Sequence, residues 1–128
     1  MNMSLLNSFI KQFLTFLGEL EESYPEVKEI RKGIDLVENF RKINPRLIHE
    51  LFYKYVYIPF YDDIKNKDMK LIQKKVTEEY SNHSEFPMFM NIFLTNQSTM
   101  SDNNKEAVWK YLFVLCTLSK KIEEGKGV

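Results

Sequence analysis

Ala107-Val108-Trp109-Lys110-Tyr111-Leu112-Phe113-Val114-Leu115-Cys116-Thr117-Leu118 carries one charge and is apolar around nearly the whole circumference of a helix. A helix of that kind must be enclosed on most sides by other helices, because a surface helix keeps a polar face. Ser101 or Asp102 can cap its start and Gly125 marks its end, so the pattern predicts one long final helix running to about Glu124. The fold expected around it is all-α: a compact bundle of five or six helices with the C-terminal helix central.

Upstream, the apolar spacing supplies the walls of such a bundle. Leu5, Leu6, Phe9, Ile10, Phe13, Leu14, Phe16, Leu17 and Leu20 recur at three and four, which predicts a first helix with a wide apolar stripe. The turn at Ser23-Tyr24-Pro25-Glu26 predicts a second helix from Pro25 to about Lys42, with a narrower stripe of Val27, Ile30, Ile34, Val37 and Phe40. Asn44-Pro45 opens a third helix with Asn as cap and Pro in the first turn. Its pairs Leu47-Ile48, Leu51-Phe52 and Tyr55-Val56 are expected to face the core, and Pro59 is expected to end or kink it. A fourth helix is predicted over Asp68 to Tyr80 and a short fifth over Phe86 to Thr95. Trp109, Leu112, Leu115, Leu47, Leu51, Phe13 and Leu17 are the expected core.

At 128 residues the chain fits one domain, and its 44% hydrophobic and 28% charged composition is that of a globular protein. Lys plus Arg equals Asp plus Glu at 18 each, so no global field draws nucleic acid or an anionic membrane. Met1 to Leu20 lacks a basic leader and a cleavage site, and no stretch reaches the roughly 20 apolar residues of a membrane span. A soluble, intracellular protein is expected. The single Cys116 reads as a buried small hydrophobe in a reducing compartment.

Chemistry is poorly signalled. His49 beside Glu50, and Glu79 four residues before His83, do not supply three converging ligands for a metal. Asp62, Asp63 and Asp68 lack the alternating oxygen ligands of a calcium loop, and Asp68 reads better as a helix cap. No glycine-rich phosphate loop is present. The reading is therefore of no catalytic residues, no metal and no cofactor.

Two surface features carry the remaining expectations. Ten Phe, seven Tyr and one Trp are more rings than a small bundle readily encloses, so some are expected at the surface, where they anchor protein interfaces. Tyr53, Tyr57, Phe60 and Tyr61 form the first candidate patch, and Phe86, Phe89 and Phe93 the second. Lys65, Lys67, Lys70, Lys74 and Lys75, preceded by tyrosines, form the candidate nucleic-acid surface, diluted by Asp62, Asp63, Asp68, Glu78 and Glu79.

Asn44-Pro45-Arg46-Leu47-Ile48-His49-Glu50-Leu51-Phe52, continuing to Ile64-Lys65-Asn66-Lys67-Asp68, together with Met100 to Leu112 and the Tyr24-Pro25-Glu26 turn, resembles small, functionally unassigned helical proteins of nucleocytoplasmic large DNA viruses that infect algae and protists. Met69-Lys70-Leu71 departs from that pattern, which tends to bring an acidic residue and aromatics there. The resemblance implies a viral origin, residence in host cytoplasm or the viral factory, and a place in the virion as one outcome; it carries over no catalytic residue. The function expected is a non-catalytic protein-interaction or structural component whose partners are viral or host proteins, with a homodimer through the first helix as one form. The alternative is a nucleic-acid-associated factor.

Overall fold

The computed structural model describes residues 3–80, 95–96 and 98–126, and all its regular elements are helical. In chain order these are α1 (Met3–Ser23), α2 (Lys28–Ile43), α3 (Pro45–Phe52), a π turn (Tyr53–Tyr57), α4 (Ile58–Lys65), α5 (Met69–Lys75), a second π turn (Val76–Tyr80) and α6 (Asp102–Gly125). The helix expected over Phe86 to Thr95, with the Phe86, Phe89 and Phe93 patch, and His83 lie outside the described residues.

The last helix is central. α6 packs on α1 along one side and on the α3–α4 segment along another. Phe16 of α1 stacks on Tyr111, while Phe9 lies edge-on to His49, which bonds Ser119 near the other end of α6; α1 and α6 are therefore antiparallel. α1 buries Leu6, Phe9, Ile10, Phe13, Phe16, Leu17 and Leu20, the three-and-four stripe of the sequence. Its Leu5 and Leu14 pack against that core as well, so the outer face offered for a homodimer carries few apolar groups. α6 buries Val108, Trp109, Leu112, Leu115, Cys116 and Ile122, but Phe113 and Val114 stay exposed. The enclosure is thus two-sided. The described elements meet α6 along the row at 108, 112, 115, 119 and 122, and positions 113 and 114 point the other way.

Several starts and stops follow local chemistry. The Asp68 carboxylate accepts the Leu71 N–H at 3.1 Å and caps α5, and the Ser101 hydroxyl accepts the Asn104 N–H at 3.1 Å and caps α6. Pro45 sits in the first turn of α3, but Asn44 makes no side-chain cap. α2 differs from expectation. Pro25 and Glu26 form a turn closed by Val27 N–H donating to Tyr24 C=O at 3.0 Å, and the helix begins only at Lys28.

Pro59 neither ends nor breaks its helix. α3, the π turn and α4 form one rod from Pro45 to Lys65. A proline at position 59 clashes with the carbonyl four residues back, at Tyr55; the wide π turn relieves that crowding, and Ile58 N–H bonds to Tyr53 C=O, five residues back. The rod also sits rotated from the expected face. Ile48, His49, Phe52, Val56, Phe60, Asp63 and Ile64 are buried, Leu47 is half-buried, and Leu51, expected in the core, is 41% exposed. His49 takes the inward place instead, packed against Phe9 and bonded to Ser119.

Candidate functional site

Tyrosines at 53, 57 and 61 follow one another every four residues, and the rod stacks them into a row. The rings of Tyr53 and Tyr57 are parallel with centroids 5.1 Å apart, and Tyr57 and Tyr61 follow at 4.8 Å with a tilt of 52°. His49 precedes the row at 6.0 Å from Tyr53. All three tyrosines are half-buried, and Tyr57 and Tyr61 rest on the core at their inner edges. Burial raises the Tyr57 phenol above its ordinary pKa, with Tyr61, Cys116, Tyr53 and Glu124 adding to the effect, which places the row along the seam between the rod and α6.

Phe60 does not belong to this surface. At 0% exposure it is among the most deeply buried side chains, because the face it shares with Val56 and Ile64 is the one turned to α6. The exposed apolar group beside the tyrosines is Ile58, at 63%. Sequence reading missed it, since an isoleucine next to Pro59 carries no interface signal of its own. Leu51 adds a second exposed position on the rod.

The five lysines do not form one field. Lys75 donates to the buried carboxylate of Asp63 at 2.8 Å and to the Pro59 carbonyl at 2.9 Å, tying α5 to α4. Lys67 donates to Glu106 at 2.8 Å, linking the end of the rod to the start of α6. Lys65, Lys70 and Lys74 remain exposed. Asp63 and Asp68, which with Asp62 suggested a cation loop, are likewise occupied as an ion-pair partner and a cap. Among the described residues no group of three His, Cys, Asp or Glu side chains converges on a metal-sized space.

One polar constellation is new. His49 is 0% exposed; its Nε2 shares a 2.8 Å hydrogen bond with the Ser119 hydroxyl, itself fully buried, and its Nδ1 lies 3.9 Å from Glu123 Oε1 with no hydrogen-bond partner. Burial lowers the imidazole's pKa, Glu123 opposes that shift, and Lys126, which pairs with Glu123 at 2.8 Å, adds to it. Carboxylate, imidazole and hydroxyl stand in the order that acyl-transfer sites use. Here, however, the hydroxyl faces inward from a helix and is walled by the core, so no carbonyl can reach it. The trio joins α3 to α6. Serine at 119 in an otherwise apolar row was the sequence signal for it. Cys116, one turn earlier, is also fully enclosed, and burial pushes its thiol up to about 12.

No family model, curated protein or solved structure matches this chain. Among the described residues no helix is long and apolar enough to cross a membrane.

Proposed function

We propose that this chain is a non-catalytic protein-interaction or structural component that docks through the rod face carrying Tyr53, Tyr57 and Tyr61 beside Ile58, and that it serves a large DNA virus, in host cytoplasm or viral factory. The observation that carries the docking reading is the stacked row itself. Three half-buried rings held in register on a rigid helix, next to an isoleucine left 63% exposed, present apolar area whose side chains have little rotamer freedom left to lose on binding. The viral setting is supported by the sequence resemblance alone.

The nucleic-acid alternative draws less support. Two of its five lysines are engaged within the fold, by Asp63 and Glu106, so the remaining charges neutralise few phosphates. The test is affinity purification of the intact chain from infected host cells, followed by mass spectrometry. A defined protein retained at high salt, and lost with Ile58→Asp or Tyr57→Ala in chains that still fold, supports docking. Retention that collapses with salt and is abolished by nuclease favours the alternative.

A further inference from the structure

Tyr57 stands between two tyrosines at ring-contact distance, with centroids 5.1 Å from Tyr53 and 4.8 Å from Tyr61. Tyr111 instead stacks on Phe16 at 5.3 Å, Tyr55 carries the Lys54 ammonium 5.0 Å above its ring, and Tyr24 packs on apolar core. The three rings of the row are half-buried. Their inner side is fixed by the core that Tyr57 and Tyr61 rest on, and their outer side is open to a reagent in solvent.

A row of phenols in contact has a chemistry that single phenols lack. Removing an electron from a tyrosine makes its ring cationic until the phenol proton leaves. A neighbouring ring face stabilises that charge, whereas an ammonium over the ring opposes it. Oxidation is therefore favoured in the row and disfavoured at Tyr55. Once the proton has gone to water, the unpaired electron lies partly on the carbons ortho to the oxygen, above and below the ring plane. For Tyr57 those lobes face another tyrosine on either side. The second reactant is already in place, so coupling needs no diffusional encounter.

We propose that Tyr53, Tyr57 and Tyr61 form an oxidative modification site, at which a one-electron oxidant of the haem-peroxidase class, fed by hydrogen peroxide, joins Tyr57 to a neighbour as dityrosine. Two phenols each give up one electron and one proton, and one peroxide takes up both pairs to become two waters. The two ring radicals form a carbon–carbon bond between ortho carbons, and the hydrogen on each of those carbons moves to its own oxygen. The product is lighter by two hydrogens. Thiol exchange, which opens disulfides, leaves this bond intact. A link from Tyr57 to Tyr53 staples the rod across its π turn, and one to Tyr61 staples it across Pro59. The inference rests on the ring geometry and not on the docking reading.

The test is to treat the intact chain, dilute, with a haem peroxidase and hydrogen peroxide, and to follow dityrosine fluorescence in the monomer band of a denaturing gel. The monomer should become fluorescent and lose the mass of two hydrogens, and peptide mapping should find Tyr57 in the links. Tyr57→Phe keeps the ring and its packing; with an unchanged circular dichroism spectrum, it should lose the monomer product. Tyr53→Phe and Tyr61→Phe should each keep the remaining link. Fluorescence confined to cross-linked dimers, links that leave out Tyr57, no product, or a Tyr57→Phe chain as fluorescent as the parent each overturn the proposal. Ile58→Asp, which disrupts the docking face without touching a phenol, should leave the yield unchanged, so the two readings stand or fall separately.

Discussion

Replacing Ser119 by alanine tests whether the His49 contact is a structural joint. The substitution removes one oxygen and creates almost no space, so packing contributes little to its effect. Both His49 and Ser119 are fully buried, and water cannot take over the lost bond. Because Nδ1 already lacks a partner, the variant imidazole would have no hydrogen bond at all. An unsatisfied buried polar group costs about 1–3 kcal/mol, while alanine in a helix returns about 0.5 kcal/mol over serine. The net loss is about 0.5–2.5 kcal/mol. An unfolding entropy of about 2.1 cal/mol/K per residue gives about 0.27 kcal/mol/K for a chain of this length, so the Tm should fall by about 2–9 °C, measured by circular dichroism and checked by the urea midpoint. Adding His49→Leu should recover most of it, since removing both partners leaves nothing unsatisfied. The pH arm has a defined sign. The folded-state pKa of His49 is lowered, so as pH falls the unfolded chain takes up this proton first; the stability contribution is full above the ordinary value of 6.5 and is lost below it. His49→Leu should flatten that decline. A Ser119→Ala variant as stable as the parent, or an acid decline that His49→Leu leaves unchanged, would refute the reasoning.

Other substitutions probe the remaining supports. Lys75→Met strands the Asp63 carboxylate, whose side chain is 4% exposed, and should cost about 2–4 kcal/mol in urea unfolding, toward the lower end of the penalty for breaking a buried pair because Lys75 itself is partly solvated. Gly18→Ala adds a methyl with nothing within 4 Å inside α1 and should stabilise by about 0.5–1 kcal/mol. Phe60→Ala should lose about 3–5 kcal/mol as a core truncation, whereas Tyr61→Ala should lose about 1 kcal/mol or less and act on partner retention instead. Cys116 should resist iodoacetamide in the native chain at mildly alkaline pH and react only on unfolding, because its thiol is enclosed and held near 12; prompt native labelling would contradict the enclosure.

The helical class, the central position of α6 and the stripe of α1 were legible because each rests on apolar spacing sustained over many turns. The caps at Asp68 and Ser101 were legible for a local reason, a short polar side chain three residues before an available N–H. The face of α3 was not. Its apolar residues come in pairs, either member of which can point inward, and the choice fell to His49, whose value to the core depends on a serine seventy residues away in the chain. The π turn did leave a trace. Ile48, Val56, Phe60 and Ile64, with Phe52, keep a strict spacing of four, which in a 3.6-residue helix drifts by about 40° a step, or about 160° over four steps. One surplus residue, about 100° of rotation, is what returns most of that row to a single side. Of the tyrosine patch, the row at 53, 57 and 61 was readable from its spacing. Phe60 was misplaced because adjacency in sequence is not adjacency on a helix.

That surplus residue has a bearing on how this chain tolerates changes of length. Shedding a single amino acid between Tyr53 and Tyr57 would let the rod close into an uninterrupted α-helix while both flanks kept their orientation toward α6. Pro59 opposes the change, because its ring would then press on the carbonyl that the wide turn now holds clear. The proline thus acts as a ratchet, making the longer form the easier one to keep.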